Sequence, residues 1–229
     1  MSAADQTYIQ ALALGLDPAW RRRSDEQRHD DARRFAEAEA AAEPEGVRSI
    51  TYSSVGLEPG TDLLFWRMAP TVDALETAAA GLLRAGLGRW LTVRHSLLGR
   101  IGPSQYVKKP TAQEQSLFGG ERSRYLVVYP FTKSTDWYLL SSEARQGIMN
   151  EHMRVGHAYP TIRQALAYSF GLDSQDFVVA YETDDLVAFG DLVRALRGTE
   201  SRRSTVSDTP ILLGIHRALD EILSLLGAS

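Results

Sequence analysis

The chain has 229 residues, 44% hydrophobic and 24% charged, with a formal net charge of −4, the make-up of a globular fold long enough to bury a sizeable core. The acidic balance argues against wrapping a phosphate backbone, so no nucleic-acid partner is expected. The absence of cysteine excludes disulfides, thiolate metal sites and cysteine nucleophiles.

At the N-terminus, "MSAADQTYIQ" lacks the basic-then-apolar order of a secretory leader. No stretch of about 18 apolar residues follows anywhere, so no membrane span is expected and a cytoplasmic location is. Arg21, Arg22 and Arg23 form a short basic run in a mixed-charge region and read as a solvated face. A helix is predicted from Ser24 through "DEQRHDDARRFAEAEAAAE", rich in good helix formers and stopped by Pro44 and Gly46. The runs "VRSITYSSVGL" and "TDLLFWRMA" read as strands separated by the turn "EPG". A helix over Val72 to Ala85 follows, with Gly86 and Gly88 as stop signals.

The second half repeats this order. "RYLVVYPF" reads as a strand, and "SSEARQGIMNEHMRV" as a helix capped by Ser141 or Ser142 with Glu143 in its first turn. "QALAYSFGL" and "DFVVAYE" read as a strand pair joined at "DSQ", then "TDDLVAFGDLVRALR" as an amphipathic helix and "TPILLGI" as a closing strand. The segment from Tyr52, "YSSVGLEPGTDLLFWRMAPTVDALETAAAGL", can be laid over "YSFGLDSQDFVVAYETDDLVAFGDLVRAL" from Tyr168. Both run Tyr-Ser, Gly-Leu, a turn, an apolar strand, then an amphipathic helix. The expected fold is therefore α+β, two ferredoxin-like βαββαβ halves, at residues 1–115 and 116–229.

The residues with chemistry to offer cluster in the second half. Strand alternation puts Tyr125, Val127, Tyr129, Phe131 and Lys133 on one face. The plain reading is an amphipathic core tyrosine and a strand-end charge; the functional one is a phenol and an ammonium lining one pocket for an anion. His152 shares a helical face with Ile148 and Met149, whereas His157 lies on another, so the two are poorly placed to clamp one zinc. A lone histidine on such a face is a satisfied core residue or, since haem iron needs only one protein ligand, an axial ligand. Arg197, Glu200, Arg202 and Arg203 in "LRGTESRR" are a charged helix end, or a site where a carboxylate orients a histidine and arginines bind carboxylates. No GxGxxG, P-loop, GxSxG or HExxH is present.

Taken in order, "YPFTKSTDWYLL", "EARQGIMNEHMRVGHAYP", "YSFGLDSQDFVVAYETDD" and "LRGTESRR" resemble the chlorite dismutase family, which includes the coproheme decarboxylases. The resemblance extends through "LDPAWRRRSDE" and "DLLFWRMA" in the first half. It implies a paired ferredoxin-like fold, a dimeric α+β barrel-type protomer, with haem b or iron coproporphyrin III in the second half, and a homo-oligomer, commonly a pentamer. By the same resemblance His152 is the iron ligand, Glu200 the acid hydrogen-bonded to it, Trp137 and Tyr138 aromatic neighbours of the macrocycle, and Arg197 a propionate-binding residue. In the decarboxylase branch, the tyrosine and lysine of the "YP…K" motif, here Tyr129 and Lys133, carry the peroxide-dependent removal of propionate carboxyls, with the tyrosine acting as a radical. Two departures stand out. The place of the distal arginine of chlorite dismutases falls at Ala165, with Arg163 two positions away, which disfavours chlorite dismutation. No histidine lies between His95 and His152, leaving Gln113 and Gln115 as the polar candidates on the distal side.

Overall fold

The computed structural model describes residues 7–102, Tyr106 and 121–228; Gln113 and Gln115 lie outside the described residues. The chain divides into two compact units. One comprises the described residues up to Ile101 together with those from Leu213 onward, and the other the described residues between Gly102 and Leu212.

In the first unit, strand β1 (Tyr8–Leu16) is buried along nearly its whole length. It lies between β3 (Thr61–Ala69) and β4 (Leu91–Arg100), antiparallel to both. Strand β2 (Arg48–Glu58) pairs antiparallel with β3. Helix α1 (Asp25–Ala40) links β1 to β2, and α2 (Val72–Arg84) links β3 to β4. The order β4-β1-β3-β2 with two crossing helices is the ferredoxin-like arrangement expected from the sequence. Ser24 caps α1 through a reciprocal capping box with Gln27. Gly86 ends the α2 segment in a positive-φ conformation (φ 44°), where a Cβ would meet the Asp31 carbonyl oxygen at 2.1 Å.

The closing "TPILLGI" run does form a strand, β9 (Leu212–His216), but from Leu213 onward the chain belongs with the first unit and not the second. It pairs with β2 at Tyr52↔His216 and Ser53↔Ile215, and a Cβ on Gly214 would come within 2.6 Å of the Tyr52 Cβ. A C-terminal helix, Leu219–Leu226, then buries Ile222, Leu223 and Leu226 against Trp20, Phe35 and Leu82. The halving at residues 115 and 116 thus misses this return of the chain.

The second unit repeats the scheme. Strand β5 (Tyr125–Lys133) is antiparallel to β7 (Phe177–Thr183) on one side and to β8 (Thr205–Ser207) on the other, and β6 (Arg163–Tyr168) pairs with β7. A short helix α3 (Thr135–Leu139) and the longer α4 (Ser142–Gly156) lead from β5 to β6, and α5 (Leu186–Arg197) leads from β7 toward β8. The order β8-β5-β7-β6 matches β4-β1-β3-β2, and the two matching sequence segments occupy equivalent places, β2–β3–α2 and β6–β7–α5. No helix among the described residues is long and apolar enough to cross a membrane.

Both units hold a buried ion pair. In the first, Arg67 is fully buried on β3, 2.7 Å from Glu39 of α1 and with its guanidinium 4.5 Å from the centre of the Phe65 ring. Burial lowers its pKa from the usual arginine range while Glu39 opposes the shift. Removing the acid would leave a buried charge without its counterion, so Glu39→Ala is expected to cost about 3–5 kcal/mol in urea unfolding. Arg67→Met combined with Glu39→Leu should recover most of that loss; a single variant as stable as the parent would show that the pair is dispensable.

Candidate functional site

The alternation read from the sequence places Val127, Tyr129 and Phe131 on one face of β5. Tyr181, which the sequence reading passed over, joins them from β7. The register pairs Val127 with Tyr181 and Tyr129 with Val179, so the two tyrosines are diagonal neighbours. Their rings lie 6.1 Å apart and 29° from parallel. Burial first, and then Tyr181, hold the Tyr129 phenol well above the usual tyrosine range; Asp208 adds to this and Arg197 opposes it. Burial likewise raises Tyr181. Both are neutral phenols at pH 7, with their rings packed against each other.

At the end of β5, Lys133 Nζ donates to the Ser201 carbonyl oxygen at 2.8 Å and sits 4.5 Å from the centre of the Trp137 ring. Burial, with a smaller contribution from Arg202, lowers its pKa to about 8. Trp137 is buried within α3, its ring 6.4 Å from that of Tyr106. Tyr138, the next residue, turns elsewhere: its hydroxyl donates to Asp176 Oδ2 at 2.8 Å and its ring meets Phe170 edge-on. The same Asp176 oxygen accepts the Lys133 backbone N–H at 2.7 Å, so one carboxylate ties the end of β5 to α3.

His152 lies on α4 with Nδ1 3.0 Å from the Ser201 hydroxyl. Burial first, and then the neighbouring Lys133 charge, push its pKa down to about 4, so the ring is neutral at pH 7. His157 is exposed at the C-cap of the helix, apart from this group.

Glu200 does not take the place beside His152 that the resemblance gives it. It opens a 3-10 turn, Glu200–Ser204, in which the next residue, Ser201, points inward and is buried. The Glu200 carboxylate instead pairs with Arg203 at 3.1 Å, half exposed, while its backbone N–H donates to Glu151 Oε2 at 2.9 Å. Arg197 ends α5 within electrostatic reach of Tyr129 and makes no ion pair with another described residue. Arg202 pairs with Asp208 at 2.6 Å.

The structure thus brings Lys133, Trp137 and His152 together around Ser201, and Tyr129, Tyr181 and Arg197 together farther along the sheet. Among the described residues no cluster of three or more His, Asp or Glu side chains could hold a metal ion. A single neutral imidazole, with cations and buried aromatics nearby, is the donor set of a macrocycle that brings its own nitrogens to the metal. Arg163 is committed elsewhere. Its guanidinium is 2.7 Å from the fully buried Glu182 and also donates to the Glu121 carbonyl and the Ser123 hydroxyl. Ala165, where the resemblance would put the distal arginine, is buried in β6.

A family model described as Chlorite dismutase matches residues 26–217. The coproheme decarboxylase of Mycolicibacterium smegmatis is 30% identical over 179 residues, covering 78% of this chain and 76% of that protein. The chlorite dismutase of Ideonella dechloratans is 24% identical over 188 residues, 76% of this chain and 64% of that protein. Among solved structures, the chlorite dismutase of Candidatus Nitrospira defluvii in complex with imidazole superimposes with a TM-score of 0.88 at 28% identity, covering 97% of this chain and 95% of that one. The α+β class with paired ferredoxin-like halves is therefore the observed fold.

The depressed Lys133 pKa has a measurable sign. Between about pH 8 and the unfolded-state value of 10.5, the folded chain has released this proton and the unfolded chain still holds it, so this group's contribution to stability rises with pH across that window. Lys133→Met is expected to remove the rise when unfolding free energies of the two proteins are compared from pH 7.5 to 10; parallel profiles would contradict the burial of this charge.

Proposed function

Because the chain belongs to the chlorite dismutase family, we propose that it is a haem-biosynthetic enzyme that binds iron coproporphyrin III through His152 and removes two propionate carboxyls at the expense of hydrogen peroxide, giving haem b. The observation that carries this reading is one strand, β5, holding a half-buried neutral phenol at Tyr129 and a lysine with its pKa near 8 at Lys133, the lysine ending beside a neutral imidazole. His152 is the residue that would hold the iron, and Lys133 and Arg197 the cations that would receive carboxylates. Bound iron porphyrin and peroxide supply the oxidising equivalents, one peroxide being reduced to two waters for each carboxyl removed.

Tyr129 supplies the path for the hydrogen atom. Its hydroxyl would give up a proton and an electron together to the oxidant that peroxide supplies, since burial makes the phenolate costly. The resulting oxygen radical takes a hydrogen atom from the propionate carbon β to the carboxylate, restoring the phenol. The bond to the carboxyl carbon then breaks. One of its electrons completes the vinyl double bond, the other passes to the oxidant, and carbon dioxide departs. Each round takes up one proton, and a lysine near pKa 8 is suited to deliver it at neutral pH. Chlorite dismutation is the poorer reading, because Ala165 brings no cation and the guanidinium of Arg163 is held by Glu182.

The test is mass spectrometry of the tetrapyrrole after loading with iron coproporphyrin III and titrating hydrogen peroxide. Stepwise loss of two carboxyl groups is expected. Tyr129→Phe should keep porphyrin binding and lose decarboxylation by at least about 100-fold. Turnover by that variant would sink the radical role, and retention of all carboxyls by the parent, with oxidation of an added phenol, would favour a peroxidase.

A further inference from the structure

We propose that two buried hydroxyls, Ser201 and Thr199, form a one-way hydrogen-bond chain that fixes the tautomer of His152 and leaves Nε2 as its bare, ligating nitrogen. The inference rests on the reading of His152 as the iron ligand. The direction of the chain follows from counting protons, starting at its far end.

The Leu196 carbonyl oxygen has no proton to give and lies 2.7 Å from Thr199 Oγ1, so the single hydroxyl proton of Thr199 is spent there. Thr199 Oγ1 is also 3.0 Å from Ser201 Oγ, and with its own proton used it accepts the proton of Ser201. Ser201 Oγ then has only a lone pair to offer His152 Nδ1 at 3.0 Å. The proton between them belongs to the imidazole. Nδ1 carries hydrogen, and the lone pair is on Nε2, the nitrogen turned away from Ser201.

Two further features keep the chain from reversing. Thr199 and Ser201 are 5% and 4% exposed, so bulk water is kept from supplying alternative donors. The Ser201 carbonyl is held by Lys133 Nζ at 2.8 Å, which anchors the residue from its backbone side as well. Because the chain ends on an amide carbonyl and not on a carboxylate, nothing draws the Nδ1 proton away from the ring. The ligand is a plain neutral imidazole, less basic than one paired with an acid. Ser201 and Thr199 are positioning residues in this scheme; neither touches the substrate.

The experiment starts with the ligand-free protein, labelled with 15N at its histidine side chains, with the His152 signals identified by their loss in His152→Gln. The expected result is an Nδ1–H, bare-Nε2 ring. Thr199→Val keeps the side-chain volume but removes the proton sink. The Ser201 proton then turns to Nδ1 and the population shifts toward the Nε2–H form, while Thr199→Ser restores the parent pattern. An Nε2–H ring in the parent, or a parent-like ring in Thr199→Val, overturns the proposal. Should Thr199→Val fail to fold, Ser201→Ala serves instead, with loss of the tautomer preference expected and its persistence overturning the chain. In the haem-loaded protein, Ser201→Asp places an acid against the ring and should lower the ferric/ferrous midpoint potential; an unchanged or higher potential counts against the argument. A separate titration of His152→Gln with iron coproporphyrin III addresses the ligand reading itself. Undiminished binding with the parent's optical spectrum would remove His152 as the ligand, a failure distinct from a wrong tautomer in the free protein.

Discussion

The antiparallel ladder between β5 and β7 is the constraint on which the site depends. Side chains on a strand alternate with a period of exactly two, so a slip of one residue would turn Tyr129 and Phe131 to the opposite face together. Register is held where a slip would cost most. Leu126, Val128 and Pro130 are buried on one face of β5, while the rings of Tyr129 and Tyr181 stack on the other. At the open end of the strand Asp176 does the same work, accepting from the Lys133 backbone and from Tyr138 with one oxygen. A lysine at a frayed strand end would swing through solvent; here it is delivered to one carbonyl.

Burial sets the chemistry of the site as much as position does. The pKa values of Tyr129 and Tyr181 rise and those of Lys133 and His152 fall, and in each case desolvation is the leading cause. The result is that Tyr129, Tyr181 and His152 are neutral at pH 7, while Lys133, with its pKa of about 8, is still mostly charged but close to releasing its proton. Such a group can accept an anionic ligand while keeping protons available for transfer near neutral pH. Elsewhere the fold holds charge in buried pairs, Arg67 with Glu39 and Arg163 with Glu182, each charge compensated by its partner.

Much of this was legible in the sequence, and the gaps have physical causes. The amphipathic helices and the β2–β3 and β6–β7 pairs stood out because periodicity and turn residues agreed. Strand β1 did not, because "YIQALALGL" is buried on both faces and carries the alanine and leucine content of a helix. The return of β9 to β2 is a long-range pairing that leaves no local mark. Within the site, Tyr129 and Lys133 could be read from alternation, and Tyr181 would have followed from the same pattern in "DFVVAYE" once the register was known. Ser201 could not be found this way. A serine in a charged stretch is unremarkable, and only the tight geometry of the 3-10 turn sends it inward and Glu200 outward.

The return of the chain also bears on how the protein comes into being. Ile222, Leu223 and Leu226 complete the same apolar cluster as Leu12, Leu14 and Phe35, so the first unit is begun before the second and finished after it. On the ribosome, β1 to β4 and their helices emerge with part of their core uncovered and must wait until the second unit has been made before β9 and the helix after it close that core. The second unit is contiguous and can consolidate during that interval. Order of synthesis and order of completion are therefore inverted, and the N-terminal core is the stretch with most need of protection while the chain is nascent.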